Sequence, residues 1–364
     1  MELNNFICCQ ENPQFEKVKE GYRCMNCGKI YLSSSIEYEG KTITFGKIKY
    51  QTKIRGRKAD YLKNINTFST LETGKVNIMH MDNQYDIVST KSIKVKKNVL
   101  EHKLNFYSKC LTISEKGIID IYDIESEEII GQYKTGREYN HYKLKIFPLG
   151  QEGKWLYIDT EKILSCSSEF NNRKTILQFR DVFGNDILSI KSVDYNLTYD
   201  SFAIHVNYIT EKEDGKHNIM QSSFVLKYKN GNFDVEHIVN KDGYKLSYEF
   251  KTGIFYGIDC NKLISVNQDI GELYNLPIVR CYSDGEGIFF VEEFIRFPEK
   301  SYFLTDNVIV LLYMQEIIIL DIKKRKIIDS FDGGYNLIQS FFIIDINTIC
   351  FSAGLNTYIY NVLY

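Results

Sequence analysis

GIIDIYDIESEEIIGQY (117–133) is two apolar runs parted by a polar turn, and EIIILDIKKRKIIDSF (316–331) repeats it so that Asp123 falls on Asp321. Each run is short and dominated by isoleucine, which suits a strand better than a helix, so the unit reads as a hairpin. Weaker copies are KVNIMHMDNQYDIVST (75–90), KILSCSSEFNNRKTILQF (162–179), SFVLKYKNGNFDVEHIV (223–239) and KLISVNQDIGELYNLP (262–277). Their turns fall near 83, 125, 171, 230, 268 and 323. Those intervals of roughly 40–60 residues match a four-stranded propeller blade with variable outer loops.

Two further strand-like runs precede each hairpin, as a blade requires. YKLSYEF (244–250) and GIFYGID (253–259) come before the copy at 262, and GIFFVEEF (287–294) and NVIVLLYM (307–314) before the copy at 316. The last copy, IQSFFIID, NTICFSAG and NTYIYNVLY, stops after three strands. KTITFGKIKY (41–50) fits the missing fourth place and would close the ring. Apolar residues at helical spacing are scarce, and no βαβ alternation occurs. The expected fold is all-β, a seven-bladed β-propeller over 36–364 with a small head over 1–35.

The body thereby resembles the seven-bladed propellers of the WD40-like class, although no Gly-His opens a blade and no Trp-Asp closes one. Asp123, Asp321, Asn267 and Asn361 are the nearest echo on the turn side. The resemblance implies a rigid platform whose top face and central channel bind proteins or peptides, usually without catalysis.

Four of the nine cysteines, Cys8, Cys9, Cys24 and Cys27, fall within the head. In Cys24-Met25-Asn26-Cys27-Gly28 two thiolates stand two residues apart and can grip one tetrahedral ion, and Gly28 permits the tight turn. This CxxCG before an apolar, aromatic strand resembles a zinc-ribbon knuckle. Cys8 and Cys9 are adjacent rather than spaced as CxxC, so both reach one metal only if the chain bends there. A structural Zn2+ held by Cys24, Cys27 and at least one of Cys8 and Cys9 is expected; a reduced, metal-free head is the alternative. The remaining five, Cys110, Cys166, Cys260, Cys281 and Cys350, stand singly and read as buried thiols.

The formal net charge of −2 conceals an asymmetry. Residues 41–110 hold 15 Lys/Arg against 5 Asp/Glu, whereas 111–364 hold 26 against 36. KIKYQTKIRGRK (47–58) carries Lys47, Lys49, Lys53, Arg55, Arg57 and Lys58 with no acid among them. It is either a solvated face that keeps an edge strand from pairing, or a patch for an acidic protein surface or nucleic acid.

Neither a GxxxxGK[ST] loop, a GxSxG elbow, an HExxH helix nor a DxDxDG loop is present, and the six histidines stand far apart, each reading as an ordinary surface or strand residue. YITEKEDGKHN (208–218) lengthens its blade as an outer connection or a binding loop. No run is long and apolar enough for a membrane span, and the N-terminus lacks a basic region followed by an apolar one, so a soluble cytoplasmic protein with no small-molecule substrate is expected. The leading functional expectation is a non-enzymatic protein–protein interaction scaffold or adaptor subunit of a larger assembly. A nucleic-acid-associated subunit using the head and 47–58 is the second, and a propeller enzyme with a channel site is the third.

Overall fold

A computed structural model describes residues 15–18, 21–24, 30–38, 41–82, 87–150, 153–196, 200–211, 215, 217–229, 231–240, 246–259, 262–265, 271–275, 280–283, 288–291, 298–324, 326–332, 336–345 and 348–362. Among them the secondary structure is strand, apart from a 3-10 turn at Lys63–Ile65 and one short helix, α1 (Phe179–Phe183).

Six four-stranded antiparallel sheets follow one another, each built from consecutive strands. The first is Arg57–Leu62, Thr67–Glu72, Lys75–Met81 and Ile87–Lys94; the second Val99–Leu104, Lys109–Ser114, Ile118–Asp123 and Ile129–Lys134. Leu144–Leu149, Lys154–Asp159, Lys162–Cys166 and Arg173–Gln178 form the third, and Ser189–Asn196, Ser201–Glu211, His217–Lys229 and Asn232–Asn240 the fourth. The fifth is Leu246–Glu249, Ile254–Asp259, Lys262–Ser265 and Gly271–Asn275, and the sixth Lys300–Thr305, Val308–Leu312, Glu316–Asp321 and Lys326–Asp332. In the seventh, Ile338–Asp345, Thr348–Ala353 and Asn356–Asn361 are completed by the N-terminal strand Lys41–Arg55.

The sequence placed the closing strand near 41–50. Its pairing with Asn356–Asn361 runs through the far end of the same strand, Tyr360 opposite Gln51 and Asn356 opposite Arg55. Residues 41–51 pair instead with Ile30–Tyr38, which continues to Gly21–Cys24 and Phe15–Val18. GIFFVEEF also falls elsewhere than expected. Ile288–Val291 pairs with Arg280–Ser283 in a two-stranded sheet, and KSYFLT at 300–305 is the strand that opens the sixth sheet.

Burial explains why the repeat was legible. Second and third strands lie between two other strands and between two layers, so their sequences are unbroken apolar runs, as in Trp155–Ile158 and Ile317–Leu320. Fourth strands such as Arg173–Gln178 are largely exposed and carry charge, which discourages edge pairing. The ladder between third and fourth strands shifts at Ile121/Tyr122 in the second sheet and at Ile319/Leu320 in the sixth, the same place relative to Asp123 and Asp321. A bulge there strengthens the local twist.

Those two aspartates end the third strands. Asp123 accepts the N–H groups of Glu125 and Ser126, and Asp321 that of Lys324, so each carboxylate stands in for a backbone acceptor in its turn. The Lys109 ammonium, aided by the Ser126 N–H, holds the Asp123 carboxyl well below the usual carboxylate range.

The chain divides into two compact units: Met1–Ala59 with Gly257–Ser265 and Gly271–Tyr364, and Asp60–Tyr256 with Val266–Ile270. In the second unit, apolar layers fill the space between successive sheets. Leu71, Ile78 and Cys110 join the first sheet to the second; Ile119, Ile121 and Trp155 the second to the third; Phe147, Phe179, Phe202 and Phe224 the third to the fourth. Ala203 and Val225 meet Phe255 of the fifth. In the first unit, Val310, Ile319, Phe351 and Tyr360 form the equivalent layer.

Candidate functional site

Cys8, Cys9 and Cys27 lie outside the described residues. Cys24 ends the strand Gly21–Cys24 with Phe15 opposite it, and Arg23 stands opposite Ile30. Phe15 and Cys24 therefore lie at the same end of these two strands. Among the described residues no group of three or more His, Cys, Asp or Glu is arranged to hold a metal ion.

Lys47, Lys49, Lys53 and Arg55 lie along one strand, whose ladder with Ile30–Tyr38 shifts between Lys49 and Phe45; Lys53 and Arg55, two residues apart in the regular pairing with Asn356–Asn361, share one face. Lys53 and Arg55 are exposed, and Arg57 and Lys58 are half-buried. Gly56, with φ +125°, and Lys58, with φ +50°, turn the chain from this strand into the first sheet. That turn is held by polar bonds within the first unit: Gly56 N–H donates to Leu355 O, Thr357 Oγ1 to Gly56 O, and Ala59 N–H to Ser352 Oγ.

Sequence reading missed a second set of residues, on the first strands of the second unit's sheets. Asp60 is buried; its Oδ2 accepts the Leu104 N–H at 2.8 Å and its Oδ1 the Lys103 ammonium at 3.1 Å. The Lys103 Nζ stands 5.8 Å from the centre of the Phe147 ring, and Tyr195 packs on that ring at 4.8 Å. First strands of four consecutive sheets thus converge here. Burial, the largest single influence, would lower the Lys103 ammonium, but Asp60, Tyr195 and Glu101 together outweigh it and hold Lys103 above the ordinary lysine range. A lysine held protonated is a poor nucleophile.

A parallel arrangement joins the fourth and fifth sheets. Asp194 Oδ2 accepts the Tyr248 N–H at 3.1 Å and lies 3.2 Å from His205 Nε2, while His205 Nδ1 lies 2.9 Å from Ser223 Oγ. A carboxylate only accepts, so Nε2 donates to Asp194. The residue types are those of a hydrolytic triad, yet Ser223 is 1% exposed in the middle of a third strand, where no substrate carbonyl reaches it. The set ties sheet to sheet. His205, read from sequence as an ordinary strand residue, is in fact buried in this network. One signal was present: Asp60-Tyr61 and Asp194-Tyr195 place the same dipeptide on the first strands of the first and fourth sheets.

Cys110, Cys166 and Cys350 are buried free thiols, and burial pushes Cys166 and Cys350 up to about 12, which keeps them unreactive.

No protein-family model and no curated protein matches the chain. A solved structure described as "YCF48 bound to D1 peptide" is similar to it, with a TM-score of 0.53 and 8% sequence identity, covering 91% of this chain and 100% of that one. The fold is a seven-bladed β-propeller. At that identity the likeness speaks for architecture alone. Among the described residues no helix is long and apolar enough to cross a membrane.

Proposed function

We propose that the propeller is a non-enzymatic interaction scaffold, an adaptor subunit that docks protein partners within a larger cytoplasmic assembly. The observation that carries this reading is the use of its inner polar groups. Asp60, Asp194, His205 and Ser223, which have the chemistry of a catalytic centre, are buried, Lys103 is half-buried, and all are taken up in structural bonds, of which Asp60 to Lys103 and Leu104 and Asp194 to Tyr248 cross between neighbouring sheets. A similar propeller solved with a bound peptide agrees with that use of the fold. Purification from the native cell tests it: a protein that co-elutes in fixed ratio after nuclease treatment supports the scaffold, and recovery of the chain alone refutes it.

The basic strand and the head form the proposed contact for an acidic protein surface. Both belong to one continuous sheet, in which Lys49 is opposite Leu32 and Arg23 opposite Ile30. Charge reversal at Arg55, Arg57 and Lys58 should slow association by about tenfold at low salt, and the difference should shrink as screening rises. Thermal unfolding should move little for reversal at the exposed Arg55 alone, because exposed ion pairs contribute about 0–1 kcal/mol, and more once the half-buried Arg57 and Lys58 are reversed with it. Unchanged association rates at low salt would leave the stretch a solvated face. The run of cations Lys47, Lys49, Lys53 and Arg55 along one strand favours one second reading, a track for nucleic-acid phosphates. That reading requires a steep fall in nucleic-acid affinity with salt and capture that nuclease abolishes.

The head is proposed to hold one structural Zn2+ through Cys24, Cys27 and at least one of Cys8 and Cys9. Protein purified without chelator from zinc-replete cells should carry about one equivalent, and Cys24→Ser with Cys27→Ser should release it while the strand signal of the body stays. Metal-free protein from such cells removes the site.

A further inference from the structure

The fourth sheet is not the same length as its fellows. Its middle strands, Ser201–Glu211 and His217–Lys229, pair with each other out to Glu211 opposite His217, whereas the first strand stops at Ser189 opposite Asn207 and the fourth at Asn240 opposite Gln221. Residues 208–211 and 217–220 therefore run on as a two-stranded ribbon, and Gly215, with φ +74°, lies in its tip. The sequence marked this segment as an outer connection or a binding loop.

The two faces of the ribbon are treated differently. Tyr208 and Met220 pack on the layer between the third and fourth sheets, and α1 covers Tyr208: Phe183 stacks on it with ring centres 4.1 Å apart, and Phe179 and Phe183 pack on Phe224 beneath. On the opposite face Ile209 and Ile219 stand directly across from each other, 41% and 65% exposed, with Glu211 and His217 beyond them. A bare cross-strand isoleucine pair on a solvent-facing ribbon loses the burial that such a pair ordinarily supplies.

The edge carries the second observation. The Asn207 carbonyl accepts the Leu188 N–H at 2.8 Å, so the main chain of Asn207 turns toward the first strand. Ile209 and Glu211, two and four residues on, turn their N–H and C=O groups to the same side, where no strand lies beside them among the described residues. We propose that this edge binds an extended segment of a partner protein as an added strand, with an apolar side chain of that segment seated on Ile209 and Ile219. It rests on the scaffold reading and gives that reading a second place of contact. A second copy of this chain is the wrong occupant for so short a ribbon, since a stable dimer needs about 800 Å² and about 20–30 residues from each partner. Strand addition needs only a short edge and a pocket for alternate side chains.

The full chain is tested with a labelled peptide of about ten alternating valines and threonines flanked by lysines, and with the same peptide carrying a central proline. Expected is saturable binding of the first, slowed amide exchange at Ile209 and Glu211, and about tenfold weaker binding of the proline form. Ile209→Lys with Ile219→Lys should weaken the peptide by about tenfold or more without lowering the melting temperature. Glu211→Pro, which removes an edge donor and leaves both isoleucines, should weaken it as well. Equal binding of the two peptides, no binding of either, or exchange at 209–211 that ignores them overturns the proposal, as does a solution dimer that Ile219→Lys dissociates. Native purification of the Ile209, Ile219 double variant separates the two readings. If the parent retains a protein partner and the variant retains it equally, the ribbon is not the contact; if the parent retains none, the scaffold reading itself fails.

Discussion

A chain that ends at Leu355 is expected not to fold. Asn356–Asn361 is the third strand of the seventh sheet, bonded on one side to Thr348–Ala353 and on the other to Lys41–Arg55. Its loss bares two edges at once and removes Tyr360 and Val362 from the layer that holds Phe351 and Val310, together with the buried Ile359. Full burial of each such side chain contributes about 1.5–3 kcal/mol, so the three together rival the about 5–15 kcal/mol by which a typical domain is stable. The Thr357 bond to Gly56 O, which fixes the turn into the first sheet, goes too. Expression of 1–355 should give insoluble protein, or soluble protein without a cooperative unfolding transition. A truncated chain that melts like its parent contradicts closure by the N-terminal strand.

Asp60→Ala is expected to cost about 3–5 kcal/mol, because it strands the Lys103 ammonium in the interior and orphans the Leu104 N–H. Asp60→Leu combined with Lys103→Met should recover much of the loss, since two apolar groups of similar volume bring no buried charge. The recovery distinguishes a charge pair from a general intolerance at residue 60. The pH dependence has a defined sign. Lys103 is raised in the folded state, so the pair's contribution is fully present below the ordinary lysine value of about 10.4 and fades only as pH climbs beyond it. Denaturant midpoints of parent and Asp60→Ala should therefore differ by the same amount at pH 6 and pH 8. A single-variant loss below about 1 kcal/mol, within the range of a surface substitution, would show that the pair ties nothing.

These two sites mark where sequence was informative and where it fell silent. The blades could be read because second and third strands are buried on both faces, which forces apolar runs such as Ile317–Leu320, set apart by polar turns that recur every roughly 40–60 residues. The same signal misled at GIFFVEEF, since an apolar run announces a strand and not its partner. KSYFLT, broken by Lys300, Ser301 and Thr305, was passed over although it opens a blade. The end of the closing strand that pairs with the C-terminal strand was displaced for a related reason: residues 41–50 look more strand-like than 51–55, yet register is decided by what lies opposite. Buried polar ties were the least legible. Asp60 meets a backbone N–H 44 residues away and Asp194 one 54 residues away, each about one blade on, and a backbone group leaves no mark on the sequence. The ribbon at 208–219 showed its charged tip but not its paired isoleucines, which sit ten residues apart and meet only across the hairpin.

The scaffold claim is tested most directly by sizing the native complex. The chain is drawn from its own cells at low ionic strength, treated with nuclease, and passed over a sizing column with light scattering and identification of every co-eluting chain. The account predicts a protein partner in fixed ratio, weakened by charge reversal at Arg55, Arg57 and Lys58 and by Ile209→Lys with Ile219→Lys. A monomer of 42.6 kDa with no companion, or a companion that is nucleic acid and disappears with nuclease, contradicts it.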